Sequence, residues 1–214
     1  MNDIKTAKML YLVLERLKTQ YPSAKTELLH QNPLELLIAT VLSAQATDVS
    51  VNKITPSLFK KYPTAKDFAN ADISELQENL KTINFYKTKA SNIKKICTIL
   101  EFEFHSNVPN TMELLVKLPG VARKTANIVL SEGYGIIDGI AVDTHVTRLS
   151  NRLGFTTNKD PKKIEQDLMK LAQKTEWRNV SNLLILHGRA ICFAKSPNCK
   201  DCLLNDVCPS AFKI

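Results

Sequence analysis

Cys192, Cys199, Cys202 and Cys208 fall within seventeen residues near the end of a 214-residue chain, spaced C-x6-C-x2-C-x5-C. A segment this short buries too little apolar surface to fold alone, so four neighbouring thiols imply a shared metal that staples them. Zinc sites usually present two C-x2-C pairs, and only one is here. An iron–sulfur cluster tolerates wider, uneven loops. The spacing therefore favours a [4Fe–4S] cluster, with zinc second and free thiols third. Cys97 stands apart on the apolar face of a helix and reads as a core residue. The chain opens on Met1-Asn2-Asp3-Ile4-Lys5, which is not a secretory leader, and this argues against a disulfide framework. No apolar run approaches the roughly 20 residues of a membrane span.

Hydrophobic periodicity is helical throughout. Ile4, Ala7, Leu10, Tyr11, Leu14 and Leu17 mark an amphipathic helix over residues 2–20. Residues 33–44 are apolar nearly all round and read as a buried helix. Thr47 or Asp48 can cap a third, to about Lys61, which Pro56 interrupts or bends. Asp72 with Glu75 resembles a capping box for a helix ending near Leu80. A long helix is expected from about Lys87 to Phe104, and Thr111 caps a short one after it. Asp143 begins a helix that stops at Gly154, a good C′ residue. Asp160 followed by Pro161 starts another, to about Gln173, and residues 179–193 form the last. No stretch alternates as a strand does, so the chain reads as all-α.

Between the short helix and Asp143 lies Leu118-Pro119-Gly120-Val121-Ala122-Arg123-Lys124-Thr125-Ala126. Pro119-Gly120 is a tight turn, and residues 121–131 read as a second helix. The free N–H groups and positive dipole end of such a helix suit a phosphate. Its apolar arc is Val121, Ala122, Ala126, Ile128 and Val129, with Arg123, Asn127 and Ser131 on the wet side. Lys124 falls at the border. Partial desolvation beside a positive terminus would lower its pKa, as a nucleophilic amine requires. A phosphate contact or a solvated surface lysine is the plainer reading. A faint echo at residues 82–90, where Lys89-Ala90 parallels Lys124-Thr125-Ala126, hints at an internal repeat. The formal net charge of +8 suits a polyanionic partner.

Together these features resemble the endonuclease III family of DNA glycosylases. The hairpin, Val142-Asp143-Thr144-His145, Leu42-Ser43-Ala44-Gln45-Ala46-Thr47-Asp48 and the cysteine tail occur in the family's order and spacing, and strengthen the [4Fe–4S] reading. The resemblance implies a two-domain helix-hairpin-helix fold: a six-helix barrel over residues 23–134, and a cluster domain combining residues 1–22 and 135–214. It implies removal of oxidised pyrimidines from duplex DNA and strand cleavage, with Lys124 as nucleophile and Asp143 as its partner. It implies that Gln45 fills the space of the flipped base and that Phe85 stands where relatives carry an aliphatic wedge. Gly120, Ala122, Arg123 and His145 are the further DNA-binding candidates, although His145 can equally be structural. Relatives often carry glycine where Ala122 stands; a helical Ala there costs nothing. His187 and Arg189 are expected to pack beside the cluster. Lys195 and Lys200 either meet phosphates or are solvated. A monomer on damaged double-stranded DNA inside the cell is the simplest expectation. Two rivals are a mismatch adenine glycosylase, which would lack the hairpin lysine, and a non-catalytic iron–sulfur DNA-binding protein.

Overall fold

The computed structural model describes residues 3–213. Every regular element among them is helical. The chain divides into two compact units, one of residues 1–25 with 137–214 and one of residues 26–136.

In the unit of residues 26–136, helix α2 (Pro33–Ser43) is the central element. Asn32 accepts the Glu35 N–H and Pro33 occupies the first turn, so the start is set locally. Residues 36–42 are all buried, as an apolar run without a wet face requires. Helix α3 (Asp48–Lys61), capped by Thr47, continues through Pro56 rather than ending there. Helix α4 (Ala65–Asn70) has no counterpart in the periodicity. Its capping box is complete, with Thr64 and Asp67 each accepting the other's backbone N–H. Helix α5 (Ile73–Leu80) shows only half of one: Asp72 accepts the Glu75 N–H, while the Glu75 carboxylate pairs with Lys61 and accepts from the Tyr62 hydroxyl. Helix α6 (Tyr86–Glu103) lies against α4, α5 and α2, burying Ile93, Ile96, Cys97 and Leu100. Each such side chain contributes about 1.5–3 kcal/mol when fully buried.

Helix α7 (Met112–Leu115) starts at Thr111, whose side chain makes no capping bond, contrary to expectation. Helix α8 spans only Arg123–Ile128 and continues as a π-helical turn, Val129–Gly133, instead of running as α-helix from residue 121. Asn127, expected on the wet side, is buried.

The other unit closes around α1 (Asp3–Gln20), α9 (Thr144–Arg152), α10 (Pro161–Leu171) and α11 (Trp177–Ala190). The inward stripe of α1 is Leu10, Val13, Leu14 and Leu17, while Ile4 is exposed. Residue 2 of the expected helix lies outside the described residues. At the end of α9, the N–H of Gly154 (φ +74°) bonds the Asn151 carbonyl and the N–H of Phe155 bonds that of Ser150. This paired closure needs a left-handed residue, which glycine supplies. No helix among the described residues is long and apolar enough to cross a membrane.

Candidate functional site

The hairpin is built by close approach. Gly120 has φ +76°, and a Cβ on it would stand 2.6 Å from Asn92 Nδ2 on α6. The positive φ favours glycine, and any side chain there would also have to displace the Asn92 amide. Ala122 is the N-cap of α8 with φ −87° and ψ 167°, an extended conformation open to any residue. It is not yet helical, so the absent second glycine costs the backbone nothing. Its methyl cannot cap, which leaves the first-turn N–H groups without an acceptor from that side chain. Lys124 lies in this first turn and is exposed, so the desolvation expected at a border position is not supplied by its own helix. Arg123 is half-buried and Ser131 bonds back to the Ile128 carbonyl.

Gln45 and Phe85 are both exposed and both left-handed, at φ +54° and +58°. Neither is glycine, and each such backbone costs roughly 1–2 kcal/mol. Asn84 links them, donating its side-chain amide to the Gln45 carbonyl at 3.0 Å. Lys89 is buried on α6 and donates Nζ to the carbonyls of Leu42 and Ala44 at 2.8 and 2.6 Å. Burial pushes its pKa down. The echo at Lys89 thus places a lysine inside the fold, where Lys124 faces solvent.

Asp143 is the N-cap of α9. One carboxylate oxygen accepts the N–H groups of His145 and Val146, each at 2.8 Å, and the other stands 3.1 Å from His145 Nδ1. A mostly buried carboxylate is thereby held rigidly, and its ring neighbour is oriented with it. His145 also meets α11 closely. A Cβ on Gly188 would come within 3.0 Å of the His145 Cβ and Cδ2 and 3.1 Å of Arg148 Nη2.

Beyond α11 the chain makes turns but no helix, and side chains from elsewhere in its unit hold it. Cys192, Cys199, Cys202 and Cys208 are free thiols that line one cavity with Arg152 and Asn205. Arg148 donates to the Gly188 and Cys192 carbonyls at 3.0 and 2.9 Å. Arg16 grips the Leu203 carbonyl at 2.9 Å and the Asp206 carboxylate. His187, fully buried, sets Nε2 3.3 Å from Cys202 Sγ and Nδ1 3.5 Å from the Tyr21 hydroxyl. Burial pushes its pKa down to about 4, so the ring is neutral. Arg189, Lys195 and Lys200 are exposed. Burial, then the charge of neighbouring sulfurs, pushes the Cys202 and Cys208 thiols up. Four thiolates would not coexist here without a positive group among them, which fits an iron–sulfur centre. Among the described residues, no three His, Cys, Asp or Glu side chains converge as ligands of one metal ion. Cys97 is buried on α6, its thiol pushed up to about 12.

Lys89, Asn84, Arg148 and Arg152 were not singled out as site residues by the motifs. Only the Lys89-Ala90 echo pointed at one of them.

These features have counterparts in known proteins. A family model described as HhH-GPD superfamily base excision DNA repair protein matches residues 38–174. Endonuclease III of Synechocystis sp. is 50% identical over 199 residues, covering 93% of this chain and 91% of its own. That of Bacillus subtilis is 42% identical over 202 residues, covering 94% and 92%. The solved structure of a trapped endonuclease III–DNA covalent intermediate superposes with a TM-score of 0.92 at 43% identity, over 97% of each chain. The chain belongs to the HhH-GPD superfamily of base excision DNA repair proteins and, within it, to the endonuclease III family.

Proposed function

We propose that the protein is a bifunctional DNA glycosylase and abasic-site lyase acting on oxidised pyrimidines in duplex DNA. One observation carries the reading. Lys124 stands exposed in the first turn after the Pro119-Gly120 hairpin, in a chain 43% identical to a protein trapped covalently on DNA.

The chemistry follows from the residues. A damaged base inside a duplex is out of reach, so its nucleotide is flipped into a pocket. The neutral Lys124 amine attacks the sugar C1′, and the C1′–N bond breaks as the base leaves with its electron pair. The nitrogen lone pair then opens the sugar ring, the C1′–O4′ bond breaking and O4′ taking up a proton, and the resulting protonated Schiff base acidifies the C2′ proton. Loss of that proton expels the 3′ phosphate by β-elimination. Bound DNA supplies the dry surroundings that the amine lacks on the free surface. Asp143 takes the amine proton or balances positive charge developing on the sugar. Its two bonds from α9 keep the carboxylate oriented for either task.

The remaining residues bind and hold. Gly120, Ala122 and Arg123 present N–H groups and charge to a backbone phosphate. Gln45 enters the space of the flipped base, where an amide can both donate and accept. Phe85 wedges between neighbouring bases. His145 orients Asp143 and lies near enough to the α9 terminus to meet a phosphate. In this reading residues 26–136 carry the hairpin and wedge, and the other unit carries the carboxylate and the cysteines. Cys192, Cys199, Cys202 and Cys208 would hold a [4Fe–4S] cluster, which when bound cross-links a segment without helices. The protein acts as a monomer, inside the cell, on damaged double-stranded DNA.

Borohydride trapping tests the reading. Wild-type protein on a duplex with one oxidised pyrimidine is expected to form a covalent adduct that Lys124→Gln abolishes. Base release without an adduct would instead make the protein a monofunctional glycosylase.

A further inference from the structure

Two non-glycine residues hold left-handed backbones at the same exposed surface, Gln45 at φ +54° and Phe85 at φ +58°. Such conformations persist only where the surroundings over-determine them. Here the surroundings are one short segment. Helix α2 ends at Ser43, and its last carbonyls have no helical partner. Lys89 takes two carbonyls at that end, Leu42 and Ala44, with a single buried ammonium. Its charge also opposes the negative end of the helix dipole. Asn84 takes the next exposed carbonyl, that of Gln45 itself. Phe85 follows Asn84 directly and precedes the first turn of α6, which carries Lys89.

Carbonyls 42, 44 and 45 are thus tied to residues 84 and 89, and the two left-handed residues sit within that tie. Every restraint acts on backbone. The side chains of Gln45 and Phe85 are left exposed. Beside Gln45 is a cavity of about 450 Å³ lined by Gln45, Ala46, Thr47, Ser50, Thr82 and Asn84, all but Ala46 with side-chain groups that can donate or accept.

We propose that Lys89 and Asn84 are positioning residues for strand opening: they lock the Gln45 and Phe85 backbones into one preformed two-pronged wedge that enters the duplex without first being ordered. The proposal rests on the reading that Gln45 and Phe85 enter DNA. Its physical content is preorganisation. Two free loops would each lose conformational freedom on insertion, whereas a tied pair has lost it on folding.

The test separates opening from chemistry by substrate. An abasic site in a single strand needs no opening, while the same site in a duplex does. Asn84→Ala removes one surface bond and leaves the core intact. Lys89→Met keeps the length and apolar packing of the stem but drops both bonds. Both are expected to slow single-turnover cleavage of the duplex by about 10- to 100-fold. Borohydride trapping on the single strand is expected to stay as in wild type. Discrimination among bases opposite the lesion is expected to flatten, and Asn84→Ala is expected to cost less in a Gln45→Ala background than in the wild type, the remainder acting through Phe85. Equal losses on both substrates, or a folded Asn84→Ala protein with the wild-type duplex rate, would overturn the clamp. If Gln45→Ala itself leaves the duplex rate and opposite-base discrimination unchanged, the wedge reading falls and takes the clamp with it. If Gln45→Ala slows the duplex reaction and Asn84→Ala does not, the clamp alone falls.

Discussion

Arg152 sets a guanidinium N–H 3.2 Å from Cys192 Sγ and uses two more on the carbonyls of Phe193 and Ala194, at 2.7 and 3.0 Å. One side chain therefore braces the first residues of the turn-rich segment and brings positive charge to a sulfur. Arg152→Ala is expected to destabilise its unit by about 2–4 kcal/mol, since several charge-assisted bonds are lost together. Iron and sulfide per chain should fall with it. Arg152→Lys keeps the charge but not the fork, and is expected to fall between. Metal analysis and thermal denaturation of the three proteins check this. Full iron content in Arg152→Ala would remove Arg152 from the centre.

Asp143 has a structural and a chemical assignment that substitution can separate. Asn caps helices about as well as Asp, so Asp143→Asn is expected to change stability by less than about 1 kcal/mol. The amide is neither a base nor a counter-charge, and single-turnover base release should drop by about 10²- to 10⁴-fold. Asp143→Ala should show the same loss of rate together with about 0.5–2 kcal/mol of lost stability. Denaturant titration beside single-turnover kinetics distinguishes the two effects.

The uncapped start of α8 sets up a competition. Ala122→Ser supplies a hydroxyl to N–H groups that the methyl leaves open. Stability is expected to rise by about 1 kcal/mol, while affinity for duplex DNA falls, because the same donors are then occupied. Higher stability with unchanged affinity at fixed salt would take the hairpin N–H groups out of phosphate contact.

Of the five cysteines, four line one cavity and the fifth, Cys97, is buried on α6 with its thiol pushed up to about 12. Alkylation should therefore count thiols in steps. The metal-loaded protein is expected to be unreactive. Chelation and oxidation of the centre should release four thiols, and denaturation the fifth. Mass spectrometry of iodoacetamide adducts at each step gives the count, and early labelling of Cys97 would contradict its place in the core.

Local signals in the sequence were reliable where the chain itself supplies the partner. Asp143, Asp160 and Gly154 act within a few residues of themselves, and each caps or closes its helix as its identity suggests. The periodicity of α2 carried its burial, because a run with no wet face has one place to go. The misses have physical causes. Helix α4 is six residues long, too short for a periodic pattern, although Thr64 and Asp67 hold a complete cap signature. Asn127 was assigned to the wet side of a helix counted from residue 121, whereas the helix begins only at Arg123 after an extended Ala122, and Asn127 is buried. Lys89 is buried against the usual behaviour of lysine, and its partners lie 45 and 47 residues away. Arg148 and Arg152 of α9 belong to no motif that the sequence offered. Their acceptors lie some 40 residues on, in a segment without periodicity.

The unit that carries the cysteines is assembled from both ends of the chain, with residues 26–136 inserted between. Leu10, Val13, Leu14 and Leu17 of α1 share a core with α9, α10 and α11, and Arg16 reaches the carbonyl of Leu203. As the chain is synthesised, α1 emerges before α9, α10 and α11 and until then lacks the helices it buries against. The inserted unit has its whole core in hand once residue 136 is made, and domains close in the order in which they are completed. The first helix must wait through that event and then for more than fifty further residues. Cys208 follows every helix named above, so the fourth thiol arrives after all of them are made. Chain order thus puts any capture of a metal by the four thiols after the inserted unit has closed, and removal of Cys208 would keep that unit while costing the other its fourth thiol.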